Sequence, residues 1–375
     1  QIVDGLYSKR VEIKKELTKC KRKLSKKEHS NGKDLQRKVD QLNIRQYTIK
    51  ILINSIYGYF GNKMAPFGDD DIASSITLTG QGVIKQSNKI LKDYIVNITK
   101  DESVDPIIYN DTDSSYISMQ SLMDHIDKPF SIDGVVTPEA YKFAEDIEGH
   151  LNQEITKWAE RSLNSIDSRF VFKRECMCDV GIFLQKKRYV LHVLDDEEIK
   201  CKKFKYTGVE VVRSTLPKTI KPLVKDIIET MITTQSYSET NTIFREAYDE
   251  FKQLPLEDIA FVMGIREYDK YAKKCTGYNV CKGMPIHVKA AYYYNMLIKK
   301  MELTRSHESI TSGDKVRYYY VTVPNRLGIS SLAYKQYLPE KFREDFPPNM
   351  ELMFDKIVYS IIGRFYDAVD WKLQK

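Results

Sequence analysis

Somewhere between residues 95 and 107 the hydrophobic period of this chain changes from that of a helix to that of a strand, and that switch limits the folds open to it. Upstream, Leu6, Ile13, Leu17, Cys20 and Leu24 recur at three to seven residues among lysines and arginines. Leu35, Val39, Leu42, Gln46 and Ile49 continue the pattern after the turn signal His29-Ser30-Asn31-Gly32. A helical hairpin is expected, its second helix running through Lys50-Ile51-Leu52-Ile53-Asn54-Ser55-Ile56-Tyr57 and stopping near Gly58 and Gly61. A third helix is predicted over 72–95. From Pro106 the period is two. Ile107-Ile108-Tyr109 and Tyr116-Ile117-Ser118-Met119 read as strands flanking Asn110-Asp111-Thr112-Asp113-Ser114, a β-hairpin. Further on, the patterning predicts a helix over 138–161 and strands at 170–172 and 187–193. The cap-then-proline string Ser214-Thr215-Leu216-Pro217 reads as a helix start. A Gly/Pro-containing loop at 275–285 and a strand pair near 318–323 interrupt a mainly helical remainder. The expected class is α+β, with no internal repeat and no linker dividing the chain.

Charge is concentrated rather than spread. Residues 1–50 hold 15 Lys and Arg against 6 Asp and Glu, a net +9 in a chain whose total is +7. Two readings stay open on charge alone: a surface that faces phosphate, or a solvated Lys-rich hairpin. No run approaches the roughly 20 apolar residues of a spanning helix, which argues against a membrane partner. Six scattered cysteines, at 20, 176, 178, 201, 275 and 281, suit a reduced intracellular setting better than a disulfide framework, and none has zinc-site spacing. The first residue is Gln1, as expected for a fragment or a processed piece.

Three groups of residues can carry chemistry. Asp111 and Asp113 stand at i and i+2 on a tight turn, where paired carboxylates suit an oxygen-preferring cation such as Mg²⁺. Such a turn is expected to need a positive φ, and Asn110 is the residue best suited to it. Aspartates are also frequent in turns for local hydrogen-bonding reasons. On the second predicted helix, Lys50, Asn54 and Tyr57 share one face at i, i+4 and i+7. A cation, an amide and a ring so aligned suit a nucleoside triphosphate, the lysine on phosphate and the ring on base or sugar. Arg10 and Lys14, also i and i+4, add cations on the basic hairpin. The run Asp69-Asp70-Asp71 reads as a helix cap and dipole partner before it reads as a metal site.

These strings carry a resemblance. Lys50-Ile51-Leu52-Ile53-Asn54-Ser55-Ile56-Tyr57-Gly58 resembles the Lys-x3-Asn-Ser-x-Tyr-Gly fingers motif of family B DNA polymerases, and Ile108-Tyr109-Asn110-Asp111-Thr112-Asp113-Ser114 their Tyr-Gly-Asp-Thr-Asp-Ser palm motif. Gln185-Lys186-Lys187-Arg188-Tyr189 resembles the Lys-Lys-Arg-Tyr segment that holds the primer terminus. Gly208-Val209-Glu210-Val211-Val212-Arg213-Ser214-Thr215-Leu216-Pro217-Lys218 and Gly283-Met284-Pro285-Ile286-His287-Val288-Lys289 are similar to thumb segments of the T-even-type bacteriophage branch. Asn110 replaces the family's usual glycine.

The resemblance implies a right-hand polymerase fragment: helical-hairpin fingers over 1–61, a palm of antiparallel sheet and helices over 62–208, and a mainly helical thumb over 209–375. It implies that Asp113 and Asp111 are catalytic ligands of two Mg²⁺ ions. Arg10, Lys14 and Lys50 would grip the triphosphate, and Asn54 and Tyr57 would line the nascent base pair. Lys186, Lys187, Arg188, Tyr189, Arg213, Lys282 and Lys289 would contact DNA. Glu175 resembles an acidic residue near the family's metal site. The family's Asp-x-x-Ser-Leu-Tyr-Pro-Ser motif and its exonuclease Asp-x-Glu do not occur, so the second carboxylate segment is expected from an N-terminal polymerase portion, without which these residues are expected to be inactive. Implied partners are primer–template DNA, deoxynucleoside triphosphates and that portion, in the host cytoplasm. A sliding clamp is expected to gain little from the end of the chain, where Trp371 and Leu373 are the only anchors. The alternative is a non-catalytic DNA-binding accessory protein or relic polymerase subunit.

Overall fold

Asp69 opens the third helix as a cap: its carboxylate accepts hydrogen bonds from the amides of Asp71 and Ile72 at 2.8 and 3.1 Å. The aspartate run therefore begins a helix, in the extended-backbone geometry that such caps adopt. The computed structural model describes residues 2–25, 32–66, 68–166, 168–214 and 216–373. The turn residues His29, Ser30 and Asn31, the cap residue Thr215, and Gln374 and Lys375 lie outside them.

Two compact units make up the chain. The first comprises 1–179 and 193–203, the second 180–192 and 204–375, so the boundary falls inside strands rather than at a linker. In chain order the first unit holds α1 (Ile2–Ser25), α2 (Gly32–Phe60), α3 (Asp70–Thr99), β1 (Ile107–Asp111), β2 (Ser114–Ile117), α4 (Gln120–His125), β3 (Ser131–Ile132), β4 (Val135–Val136) and α5 (Pro138–Ser162). Strands β5 (Cys176–Gln185), β6 (Arg188–Asp196) and β7 (Ile199–Thr207), in sheet order β5-β6-β7, contribute to both units. The second unit continues with α6 (Ile220–Thr234), α7 (Tyr237–Gln253), α8 (Leu256–Ile259), β8 (Phe261–Gly264), α9 (Tyr268–Ala272), α10 (Ile286–Lys300), β9 (Lys315–Tyr320), β10 (Ser331–Tyr334), α11 (Glu340–Asp345), α12 (Met350–Phe354) and α13 (Ser360–Ala368). This mixture of long helices and small antiparallel sheets is the expected α+β class. Among the described residues, no helix is long and apolar enough to cross a membrane.

In the first unit, α1 and α2 close on each other through Ile13, Leu17, Cys20, Val39 and Leu42, the periodic positions of the sequence. A second core joins α3 to α5 through Val83, Ile90, Leu91, Ile95, Ile147, Leu151 and Ile155. Ile107 and Ile117 of the β1–β2 hairpin pack on it, which is how the hairpin is seated. In the second unit, α10 packs on the sheet β10-β9-β8, α6 packs with α7 and α13 packs on α6, all within one large aromatic-rich core. There Trp371 stacks edge-on against Tyr237 and Tyr366, and the Tyr237 hydroxyl donates to the Lys372 carbonyl at 2.8 Å.

Three expectations need correction. Residues 170–172 are not a strand: the Asn152 side chain of α5 accepts from the Phe172 amide and donates to its carbonyl, both at 2.8 Å. One side-chain amide thus supplies the pairing a neighbouring strand would have given. Pro217 starts a turn, closed by the Ile220 amide on its carbonyl, and α6 begins only at Ile220. The positive φ of the acidic hairpin belongs to Thr112, at 44°, while Asn110 stays in β1 opposite Ser115.

Candidate active site and nucleic-acid interface

The β1–β2 pairing, Tyr109 with Tyr116, Asn110 with Ser115 and Asp111 with Ser114, leaves a two-residue loop of Thr112 and Asp113. A two-residue loop of this kind requires positive φ in its centre, and Thr112 supplies it. Inside the turn the Asp113 amide donates to the Asp111 carbonyl at 2.5 Å and the Thr112 hydroxyl to the Asp111 carboxylate at 3.1 Å. Below the tip, the Ser115 hydroxyl stands 2.8 Å from the amide oxygens of both Asn110 and Asn88, tying the hairpin to α3. Asp113 is exposed and Asp111 half-buried. The tip thus presents two carboxylates on a braced backbone. Among the described residues no three acidic, histidine or cysteine side chains gather as a metal cluster. Two carboxylates are nonetheless the usual protein share of a Mg²⁺ site, the remaining ligands being water and phosphate oxygens. The donor set fits the ion as part of a site. Glu175 is exposed, and its carbonyl accepts from the Glu197 amide.

On α2, Lys50, Asn54 and Tyr57 are all exposed on one face. Arg10 of α1 joins them through Gln46, one turn before Lys50, its Nη2 donating to Gln46 Oε1 at 3.5 Å. Its Nε is buried and has no partner among the described residues. Lys14 is held differently, by Glu197 at 3.3 Å. Glu197 and Glu198 form the β6–β7 turn, both at positive φ, and also take Lys21, Arg22 and Lys173. Burial pushes the Glu198 carboxyl up, but the bonds and charges of Lys173 and Arg22 outweigh it and hold the group below its ordinary range.

Behind this turn Asp195, almost wholly buried, accepts from Arg174 at 2.6 Å, from the Tyr141 hydroxyl at 3.0 Å and from the Glu198 amide at 3.1 Å. Burial and the bond to Asp195 push the Tyr141 hydroxyl up to about 12, so it stays a donor at neutral pH. Sequence reasoning missed this set. Its one signal was the acidic run Asp195-Asp196-Glu197-Glu198 between two strands, opposite in charge to the N-terminal hairpin.

In the second unit Lys186 and Lys187 form the two-residue β5–β6 turn, both exposed, with Lys187 at φ 62°. Tyr189 is buried at 5% exposure, its ring 5.3 Å from Phe183. Gly208, at φ 63°, presses its backbone against this turn: a Cβ there would lie 1.9 Å from the Lys187 carbonyl oxygen. Arg188 and Arg213 both reach Glu210, at 3.1 and 3.8 Å. Lys282 is exposed in the loop before α10, and Lys289 lies on α10 with its ammonium 5.7 Å from the Tyr293 ring centre.

An acidic hairpin tip, a basic helical pair and a Lys-Lys turn thus stand on one α+β chain. The family model for DNA polymerase family B matches residues 2–366, so the chain belongs to that family. It is 25% identical over 307 residues to the DNA-directed DNA polymerase of Escherichia phage RB69, covering 77% of this chain and 32% of that protein. To the DNA-directed DNA polymerase of Enterobacteria phage T4 it is 24% identical over 326 residues, 81% and 34% of the two chains. A DNA polymerase of Thermococcus gorgonarius is 22% identical over 361 residues, 96% of this chain and 40% of that one. The chain therefore spans about a third of the length of the phage relatives it matches.

Proposed function

We propose that this chain is the part of a DNA-directed DNA polymerase that carries the fingers (1–61), the latter palm (62–208) and the thumb (209–375), and that it works in template-directed addition of deoxynucleotides to a primer end. The observation that carries the reading is the hairpin tip, where Asp111 and Asp113 are braced on a two-residue turn. Those two residues would hold Mg²⁺, which when bound stabilises the attacking and leaving oxygens of phosphoryl transfer. Exposed Lys50, with Arg10 brought to the same helix by Gln46, neutralises an incoming triphosphate, and Asn54 and Tyr57 on that face meet its base and sugar. Lys14 reaches a triphosphate only after leaving Glu197.

Lys186, Lys187, Arg188, Arg213, Lys282 and Lys289 offer charge to the duplex backbone, and phosphate contacts position DNA without reading sequence. Tyr189, buried against Phe183, would act by supporting that turn. The remaining metal-binding carboxylate comes, in this reading, from an N-terminal polymerase portion. A relic or accessory protein is disfavoured because Lys50, Asn54 and Asp113 are all present.

The test is Asp113→Asn in the polymerase assembled with its N-terminal portion. The substitution keeps shape and removes metal-binding charge, so primer extension with Mg²⁺ should fall by at least about 10³-fold while duplex binding persists. Near-normal extension would overturn the assignment.

A further inference from the structure

Glu210 is the meeting point of three arginines of the second unit, one on β6, one just beyond its own turn and one on α13. Its Oε1 lies 3.1 Å from Arg188 Nη2, 3.8 Å from Arg213 Nη1 and 3.1 Å from Arg364 Nη1. Its Oε2 is buried and has no partner among the described residues. A single guanidinium can satisfy a carboxylate through both oxygens. Here three compete for one oxygen, so neutralising the carboxylate does not account for the cluster. Three cations around one anion leave a net +2, and like charges held this close repel unless a further anion joins them. The surplus faces water: the side chains of Arg213 and Arg364 are 47% and 40% exposed, those of Arg188 and Glu210 19% and 18%. The cluster also adjoins the Lys186–Lys187 turn, since Arg188 follows it in β6 and Gly208, two residues before Glu210, packs on the Lys187 carbonyl.

We propose that Arg188, Arg213 and Arg364, gathered by Glu210, form one binding site for a phosphate of the DNA backbone, which makes Glu210 a positioning residue and brings the C-terminal helix α13 into the primer grip. The inference rests on the polymerase reading above. Guanidinium forks suit a tetrahedral oxyanion, and the run of positive charge into the Lys-Lys turn favours a polyanion over a free phosphate ion. Arg364 is the new element, because nothing in its sequence neighbourhood marks it.

The experiment is equilibrium binding of the full chain to a primer–template duplex, followed by anisotropy between about 50 and 200 mM salt. Arg213→Ala and Arg364→Ala should each weaken binding severalfold, equally for unrelated sequences. Because the two serve one phosphate, the double variant should lose about one unit of the log–log salt slope rather than two, and its affinity loss should be less than additive. Arg364→Lys should recover the slope. Glu210→Gln should weaken binding although it adds a net positive charge, since the arginines lose what holds them; tighter binding by Glu210→Gln overturns the positioning role.

Inorganic phosphate at matched ionic strength should leave wild-type binding unchanged. Competition that vanishes in the double variant overturns the assignment to DNA. Thermal melts check folding. Should Arg364→Ala not fold, Arg213→Ala carries the test, because its side chain is half exposed and makes the longest of the three contacts. A wild-type slope in the folded double variant overturns this inference alone. Absence of any salt-dependent duplex binding by the wild-type chain overturns the polymerase reading with it.

Discussion

Gly208→Ala isolates a contact that joins fold to function. Two separate costs follow from the structure. The residue sits at φ 63°, where an L side chain costs roughly 1–2 kcal/mol. Its Cβ would also lie 1.9 Å from the Lys187 carbonyl oxygen and 3.1 Å from the carbonyl carbon. Cβ contacts shorter than 3.0 Å essentially do not occur, so the Lys186–Lys187 turn must retreat by more than an ångström. Overpacking of this kind adds about 1–3 kcal/mol, giving a total of roughly 2–5 kcal/mol. Asparagine separates the two costs, because it tolerates the left-handed region yet still brings a Cβ. Gly208→Asn should therefore escape the conformational cost and still lose about 1–3 kcal/mol to the clash. Gly283, at φ 82° with nothing within 4 Å of its Cβ, is the control: its alanine variant should lose only the conformational part and its asparagine variant almost nothing. Urea denaturation of the four variants measures the stabilities, and duplex binding of the two Gly208 variants should fall with the displaced lysines. Wild-type stability in Gly208→Asn would refute the steric argument.

Two further outcomes are expected. Asn152→Leu removes both bonds to the Phe172 backbone and should cost about 1–3 kcal/mol, with a lower urea midpoint; an unchanged midpoint would mean that residues 170–172 are held by their apolar contacts alone. The Glu198 carboxyl is held below its ordinary value, so its contribution is complete above the unfolded value of about 4.3 and is lost as pH falls through the lowered folded value. Acid should accordingly loosen α1 first, seen as faster amide exchange in that helix as pH is lowered, after correction for intrinsic rates. Glu198→Gln should remove that pH response, and an identical response in both proteins would count against the acidic turn as the anchor.

The elements that could be read from the sequence are those whose cause is local. The α1–α2 hairpin follows from Leu17, Val39 and Leu42 at helical spacing, and the α3 start from the Asp69 cap. The acidic hairpin follows from a change to period two around a tight turn. Residues 170–172 misled because Phe-Val-Phe is strand-like by composition, while the group that pairs with Phe172 is an asparagine 20 residues upstream. The turn's positive φ could be assigned to a short polar residue by propensity. The pairing register put it on Thr112 instead, because Asn110 is taken up by Ser115.

The same distinction governs the site. Asp111 and Asp113, or Lys50, Asn54 and Tyr57, stand within one turn or one helix face, so spacing alone collects them. The ion pairs that decide the charge balance here do not follow spacing. Arg364 meets Glu210 across 154 residues and Arg22 meets Glu198 across 176. A charge count over residues 1–50 therefore overstates what the hairpin offers to phosphate, since Lys14, Lys21 and Arg22 are already paired with the β6–β7 turn. It also passes over the second unit, which holds 29 Lys and Arg against 21 Asp and Glu and where three arginines sharing a single carboxylate leave a local +2. Binding strength should then follow these local surpluses rather than the total charge. Neutralising Lys14, already paired with Glu197, should therefore change affinity for duplex DNA less than the loss of one guanidinium beside Glu210.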